Sequence, residues 1–600
     1  SSHLGSRSLA RAYREMASMM GSCKGKVATD SRRIAVLAAE QALPSLFLVW
    51  LTRGIWRRVQ KGAASASLLA RAGPPGAFLA GVLFLWRPLR LLLRLLKGQG
   101  ALAVDAPGRL PFLGHFLFMN GLRKARPGIW DAFVKLHTEV GSTVRLVIGP
   151  EIAPVKVFHF TDDASNVEHI LKRNFENYGK GTEVGSVFSE FLGRGIFAVD
   201  GKLWREQRKT ASGIFSRRNF GENMTHVFQA HARRLVSILR RRAEQQPGGE
   251  VEMQELLFSL TLDAFCEVGF GLPWDSIDDQ DSDAPAGPLG PGKPVLREWA
   301  GHFDSAQQVI VNRFAYRPFW KLERMLGWLR LLPKGHDERQ FVRSISFINR
   351  VVQEMLDQRF KKVGSTASAD LLSLFMEVTR DRTYLRDVVM SFVLAGRDTT
   401  ACTLTWLFWE LSKSPQELAR VRSEILQEAS DAQVAWGSDF SFEQLNRLRY
   451  TTACVRETVR LHPAVPADPK VAFGDDVLPD GTLISRGDYV FFEPYIMARD
   501  PRHWGPHAAE WRPERWLQME KEPSAFVNCA FQAGPRICLG RDMAVLEVRA
   551  VLAQVVLAGL HWEVRRGYSP TYRYPSLVLP MASPGLPAGV SLSPASSSAP

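Results

Sequence analysis

The chain is 600 residues long, 46% hydrophobic and 23% charged, a balance that excludes an intrinsically disordered protein. Six cysteines in that length exclude a disulfide-stapled scaffold. The net charge is +15, but residues 1–105 hold 16 Lys/Arg against 4 Asp/Glu, or +12, leaving +3 for the rest. The body is nearly neutral, so the basic excess points to targeting or a membrane surface, not nucleic acid.

Residues 1–33, rich in Ser, Arg and Lys, suit an organelle transit peptide or a non-native extension. Residues 34–105 read as a basic, hydrophobic membrane-anchor region. Within it, residues 34–52 are apolar but interrupted by Glu40, Gln41 and Pro44. Arg87, Arg90, Arg94 and Lys97 recur every three or four residues opposite Leu89, Leu92, Leu93 and Leu96. Such a helix sets its cations on headgroup phosphates, although a core helix with one solvated face has the same pattern. Two prolines and two glycines in residues 106–114 make a stiff turn into the body.

From about residue 126 the pattern is mostly helical. Residues 144–149 and 155–160 predict a hairpin around Gly149-Pro150. Helical periodicity covers 203–245, 251–268, 336–362, 384–413, 415–430, 442–461 and 540–558. Residues 275–294 and 364–369 read as loops too short to separate domains, so 106–583 reads as one catalytic domain. The Ser/Pro/Ala/Gly-rich residues 584–600 predict a disordered tail.

The sharpest local signal is Phe531-Gln532-Ala533-Gly534-Pro535-Arg536-Ile537-Cys538-Leu539-Gly540. A Gly-Pro turn precedes a single Cys, and an apolar helix follows. A thiolate there faces the positive end of a helix dipole and free backbone N–H groups, which lower its pKa. Gly534 and Gly540 leave room for a flat ligand against the backbone. Arg536 adds a fixed charge two residues from the sulfur. Together these suit a metal-bearing macrocycle with acidic edges; a buried structural Cys beside a turn is the plainer alternative.

This segment satisfies F-x-x-G-x-R-x-C-x-G at every fixed position and resembles the haem-binding loop of the cytochrome P-450 family. The resemblance implies a mainly α fold with small β-sheets (α+β), one large helical domain preceded by a membrane anchor. It also implies haem b (iron protoporphyrin IX) as cofactor. Cys538 would be the axial ligand of the haem iron, a thiolate donor that favours O–O cleavage. Arg536 would pair with a haem propionate, and Phe531, Gly534 and Gly540 would complete the cofactor loop.

Three further segments fall in the family's order. Glu457 and Arg460 share a helix face three residues apart, which alone reads as a surface salt bridge worth little. Beside Trp511-Arg512-Pro513-Glu514-Arg515-Trp516, the resemblance puts Glu457, Arg460 and Arg515 in a buried structural network behind the haem loop. Ala395-Gly396-Arg397-Asp398-Thr399-Thr400 interrupts an apolar helix, where Gly396 and the threonines weaken helical bonding and favour a kink. A hydroxyl beside a carboxylate offers a proton relay, and the segment resembles the family's oxygen-activation motif, which makes Thr399 and Asp398 the catalytic pair. Ala395 stands where a branch with covalently attached haem carries Glu, so the haem is expected to be non-covalently bound. Trp204 and Arg208, at i and i+4, resemble the family's propionate-holding pair; a solvated arginine on an amphipathic helix is the alternative.

Residues 195–211, 465–470 and 475–481 look like plant and algal fatty-acid hydroxylases. That branch implies a monooxygenase acting on a long-chain fatty acid at or near the omega end. Phe188, Phe191, Phe197 and Leu394 are the expected channel lining. No flavin or nicotinamide site is visible, so the resemblance implies NADPH-cytochrome P-450 reductase as electron donor, docking where Arg536 and Arg541 meet its acidic surface. O2 and a membrane are the other expected partners, and no nucleic acid. The expected location is the cytosolic face of the endoplasmic reticulum membrane, with a chloroplast membrane as the alternative. A hydroperoxide-rearranging haem-thiolate enzyme and a non-catalytic haem-binding sensor are the competing readings; intact Thr399 and Asp398 speak against the first.

Overall fold

The computed structural model describes residues 101, 103–106, 115, 128–148, 156–272, 274–277, 294–315, 320–321, 324–325, 336–362 and 370–593. Contacts group the chain into two units. One gathers Ser1–Ala101, Leu110–Gly114 and Ile148–Val155, nearly all of it outside the described residues. The other, Leu102–Arg109, His115–Val147 and Lys156–Pro600, carries the helices and sheets. The expected transit segment, nearly all of the anchor, the proline turn and the loop at 364–369 lie outside the described residues. Among the described residues no helix is long and apolar enough to cross a membrane.

The strands in chain order are β1 (Val104–Asp105), β2 (Thr143–Ile148), β3 (Lys156–Thr161), β4 (Tyr178–Gly179), β5 (Glu250–Glu252) and β6 (Asp468–Ala472). After them come β7 (Asp476–Val477), β8 (Leu483–Ile484), β9 (Tyr489–Phe492), β10 (Leu560–Val564) and β11 (Pro587–Leu592). One sheet has the order β1-β2-β3-β9-β6-β4, so the two strands expected as a hairpin are neighbours. β1 pairs in parallel with β2, so residues 104–105, the end of the expected anchor region, lie in this sheet. β3 pairs in parallel with β9, Phe158 opposite Tyr489.

The principal helices are α1 (Ile129–Val140), α2 (Gly181–Leu192), α3 (Gly201–Ser212), α4 (Thr225–Gln245), α5 (Met253–Phe270), α6 (Pro294–Ala315) and α7 (His336–Lys362). They continue with α8 (Leu371–Val378), α9 (Arg382–Val393), α10 (Thr399–Lys413), α11 (Pro415–Ala432), α12 (Phe442–Arg447), α13 (Arg449–Leu461) and α14 (Arg541–Leu557). Local chemistry sets several ends. Asp381 accepts from Thr383 N–H to start α9, and Gly271, at φ +63°, closes α5 in the left-handed conformation. α4 packs on α14, α5 on α10, and α10 also on α13 and α14, around one large apolar core.

One sequence expectation needs correction, and one helix was not foreseen. The tail is not disordered through 584–593: β11 pairs with β10 and β5, burying Leu586, Ala588 and Val590. Its apolar residues alternate with period two, a signal that outweighs a Ser/Pro-rich composition. α6 begins at the end of the predicted loop, and Trp299, Phe303, Ala306 and Ile310 repeat at helical spacing along its buried face. Ser276 and Ile277, also in that loop, donate their N–H groups to Asp263 at 2.8 Å.

Candidate functional site

The segment before α14 closes on itself through two single 3₁₀ turns, Cys529–Phe531 and Gly534–Arg536. Cys538 N–H donates to Phe531 O at 2.8 Å, and Ile537 N–H to Gly534 O at 3.1 Å. Gly534 has φ +63°, and a Cβ there would lie 2.1 Å from Leu171 O. Its glycine is therefore demanded by the neighbouring backbone. Gly540 differs. A Cβ there would meet only Met543 and Phe215, both at 3.8 Å, so no backbone crowds it.

Cys538 is exposed, yet burial is the largest influence on its thiol and pushes the pKa up. The Gly540 N–H and Arg208 pull the other way and lose, which corrects the expectation of a lowered thiol pKa.

Asp200, just before α3, ties this loop to its neighbours. Its carboxylate accepts from Lys180 N–H and Gly181 N–H, each at 2.9 Å, and from Arg536 Nη2 at 2.6 Å. Trp204 lies buried beneath, its ring centroid 4.3 Å from the Arg536 guanidinium and 5.9 Å from that of Arg208. Arg536 Nε is buried without a partner. Arg208 is half-buried and has no carboxylate partner among the described residues, while its charge is felt at Cys538. Close by, Asp468 accepts from Lys180 Nζ at 2.6 Å, from Gln532 Nε2 at 2.7 Å and from Lys470. Against the cost of burial, the two lysines hold its carboxyl well below the usual range. Burial in turn pushes Lys470 down to about 7.

α9 and α10 form one helical run broken by a π turn at Leu394–Asp398. The sequence predicted a kink here; its form is one extra residue in a turn, of a kind frequent at functional sites. Gly396 is forced by packing, because a Cβ would sit 2.1 Å from the Phe265 ring. Thr399 Oγ1 donates to Ala395 O at 2.6 Å, and both residues are half-buried. Asp398 is buried and accepts from Arg397 Nη1 at 2.7 Å and Gln307 Nε2 at 2.8 Å. Burial pushes its carboxyl up, opposed by Arg397 and helped by Asp304.

Glu457, Arg460 and Arg515 are brought together. Glu457 accepts from Arg460 at 2.8 and 2.9 Å, from Arg515 Nε at 3.3 Å and from Trp516 Nε1 at 2.9 Å. The remaining guanidinium hydrogens serve carbonyls: Arg460 donates to Ala508 O and Glu510 O, Arg515 to Trp504 O and His507 O. Glu457 and Arg460 are fully buried, so this is not the surface pair that spacing alone suggested.

These residues fit a haem. Cys538 is exposed, Arg208 has no carboxylate partner among the described residues, and Arg536 keeps an unpaired N–H among them, all on elements around one loop. A model of the family described as Cytochrome P450 matches residues 105–583. This chain belongs to the cytochrome P450 family. It is 36% identical to cytochrome P450 704B1 of Arabidopsis thaliana over 68% of this chain and 82% of that protein. It is 35% identical to cytochrome P450 704C1 of Pinus taeda (68% and 79%), and 34% identical to cytochrome P450 94A2 of Vicia sativa (66% and 75%). The P450 is thus a monooxygenase of the oxidoreductase class with haem b, held by a cysteine thiolate in this family, as its cofactor.

Two further expectations change on this P450. Phe191 is fully buried against Phe303, 5.0 Å between ring centroids, so it belongs to the core and not to a channel wall. Phe188 and Leu394 are half-buried, and Phe197 is 41% exposed. Arg536 is spent on Asp200 and Trp204 and is no docking residue; Arg541, half-exposed beside Asp542, remains on the surface. Sequence reasoning missed Asp304, Gln307, Asp200 and Asp468. No motif spacing links them to the loop or the π turn, since they come from elements joined only by the fold.

Proposed function

We propose that this P450 inserts one oxygen atom from O2 into a C–H bond of a long-chain fatty acid, at or near its omega end, using electrons from an NADPH-cytochrome P-450 reductase. The observation that carries the reading is an exposed Cys538 that feels the charge of Arg208, with α10, which starts at Thr399, packed on the helix that follows the cysteine. Cys538 would supply the thiolate that holds the haem iron. Trp204, Arg208, Phe531, Gly534, Arg536 and Gly540 are assigned to holding the cofactor. When bound, haem supplies the activation of O2 and the oxidising power to break an unactivated C–H bond.

The chain's own part is positioning and proton handling. The Gly540 N–H and Arg208 favour the thiolate at Cys538. Arg208 and the free Nε of Arg536 would pair with the acidic edge of the cofactor. Thr399 holds a proton at Oγ1, and Asp398 resupplies it. Non-covalent attachment follows from Ala395, which has no carboxyl to form an ester.

The fatty-acid reading is supported by the resemblance in residues 195–211, 465–470 and 475–481. Its place would be the cytosolic face of the endoplasmic reticulum membrane, with a chloroplast membrane as the alternative, held by residues 34–105 and docked to its reductase near Arg541. A carbon-monoxide difference spectrum of the reduced protein, read with a fatty-acid panel, tests it. A thiolate-type spectrum, binding shifts and NADPH-dependent omega-hydroxylated product are expected. Turnover of a fatty-acid hydroperoxide without NADPH, and none of the fatty acid with it, would overturn the reading.

A further inference from the structure

A run of oxidisable rings leads from α10 to the surface. Trp406 lies about two turns beyond Thr399 on the same face of α10, about 10 Å along the helix axis. Its ring lies 4.8 Å from that of Tyr572, centroid to centroid. Tyr572 stands 5.4 Å from Tyr495, and Tyr495 stands 6.2 Å from Trp130 on α1. Each gap is a contact distance for an aromatic pair. Trp406 and Tyr495 are buried, while Tyr572 and Trp130 are half-buried, so the run ends at a ring that solvent touches.

Proton partners separate this run from ordinary core packing. His462 stacks on Trp406 at 4.3 Å, with the planes 5° apart. Its Nε2 lies 2.8 Å from Glu410 Oε1, and its Nδ1 lies 2.9 Å from the Tyr572 hydroxyl. Lys413 holds the other Glu410 oxygen at 2.7 Å, and against the cost of burial His462 and Lys413 keep that carboxyl below its usual range. A carboxylate only accepts, so Nε2 carries the imidazole hydrogen and Nδ1 is left to accept from Tyr572. Tyr495 donates to its own acceptor, Asp131 Oδ1 at 2.8 Å, and the Arg499 guanidinium lies 3.6 Å over its ring. That cation opposes removal of an electron from the ring, and the carboxylate that takes the proton offsets it.

We propose that Trp406, Tyr572, Tyr495 and Trp130 carry unused oxidising equivalents from the haem site to the surface, with His462 and Asp131 taking the tyrosine protons in turn. This rests on the reading of Thr399 as proton donor at the reacting oxygen. An electron leaves Trp406 for the haem site, and one from Tyr572 replaces it as the Tyr572 proton moves to His462 Nδ1. The imidazolium so formed is paired with Glu410 and stacked on the restored indole. Tyr495 then gives its electron to the Tyr572 radical and its proton to Asp131, while His462 returns its proton to Tyr572. Trp130 gives the next electron to Tyr495, Asp131 returns the proton, and a solution reductant such as a thiol or ascorbate restores Trp130. Two passes, with two solvent protons, reduce to water an oxygen atom that no substrate has taken.

The test mixes the haem-loaded protein with a peracid in place of O2 and NADPH, freezes it within milliseconds and reads electron paramagnetic resonance. A tyrosyl signal is expected. Tyr572→Phe, which keeps the ring but not the phenol, should remove that signal, and Trp130→Phe should lengthen its lifetime by closing the exit. Tyr568→Phe is the control, since Tyr568 pairs with Trp409 at 6.0 Å outside the run. A second readout is haem loss during NADPH oxidation with a reductase and no fatty acid. Tyr572→Phe and Trp130→Phe should each bleach the haem several-fold faster than wild type, with the carbon-monoxide spectrum before turnover unchanged.

A signal and a bleaching rate like wild type in both variants would overturn the proposal, as would loss of the signal in Tyr568→Phe alone. Should Thr399→Ala uncouple product from NADPH while wild type gives no tyrosyl signal, the run of rings is overturned and the reading of Thr399 stands. Should Thr399→Ala stay fully coupled while Tyr572→Phe still removes the signal, the reading of Thr399 fails and the run of rings stands.

Discussion

Asp398 and Thr399 adjoin in sequence but are held by different partners: the hydroxyl by Ala395 O at 2.6 Å, the carboxylate by Arg397 and Gln307. The π turn is what separates them, since its extra residue rotates the carboxylate into the α6 contact. Any relay through this pair therefore needs Thr399 to leave Ala395 O. Thr399→Ala should keep the thiolate-type carbon-monoxide spectrum while product per NADPH falls by roughly tenfold or more, the balance appearing as hydrogen peroxide. Thr399→Ser should restore most of the coupling. Full coupling in the alanine variant, measured against peroxide yield, would remove Thr399 from the mechanism.

Cys538 is exposed and lies outside the large apolar core. Cys538→Ala should leave unfolding stability within about 1 kcal/mol of wild type while abolishing the thiolate-type spectrum. Loss of fold in urea titration, with the spectrum retained in the residual folded fraction, would contradict the assignment.

Glu457 satisfies donors from Arg460, Arg515, Trp516 and the backbone of Arg512. Removing it strands two buried cations. Glu457→Ala should cost about 3–5 kcal/mol, read by urea unfolding, and release haem readily. Glu457→Gln should cost less, because it keeps an acceptor. A stable, haem-retaining alanine variant would show that the network is dispensable.

Gly396 and Phe265 form a tight steric pair. Gly396→Ala should destabilise by about 1–3 kcal/mol through overpacking. Adding Phe265→Leu should recover much of this, and additive losses in the double variant would show that the ring is not the cause.

Glu547 on α14 is buried, its Oε1 has no partner, and burial alone pushes its carboxyl well above the ordinary 4.5. Above that value the unfolded chain releases a proton that the folded chain keeps. Stability from this group therefore falls as pH rises, by up to about 1.4 kcal/mol per pH unit, until the folded group ionises. Glu547→Gln should flatten the stability profile between about pH 5 and pH 8 and raise stability at the upper end. An unchanged slope in unfolding titrations would show that Glu547 is already ionised in the fold.

Long elements with strong periodicity were legible in the sequence, including α7, α11 and α14, because burying one face of a helix fixes which positions are apolar. α6 was hidden by the Asp/Gly/Pro-rich stretch before it, and β11 by a composition that resembles a tail. The 442–461 pattern hid a break, since α12 and α13 share one apolar face across Leu448.

By itself the sequence determined the family-like loop around Cys538, the four ordered segments and the neutral body, because each is a local pattern of residue types. Only tertiary structure decided that Gly534 answers to Leu171, that Arg536 binds Asp200 and lies over Trp204, and that Asp304 reaches Arg397 while Gln307 reaches Asp398. The reason is physical. Burial, shared donors and steric contact arise between segments far apart in the chain, and no spacing within one segment encodes them.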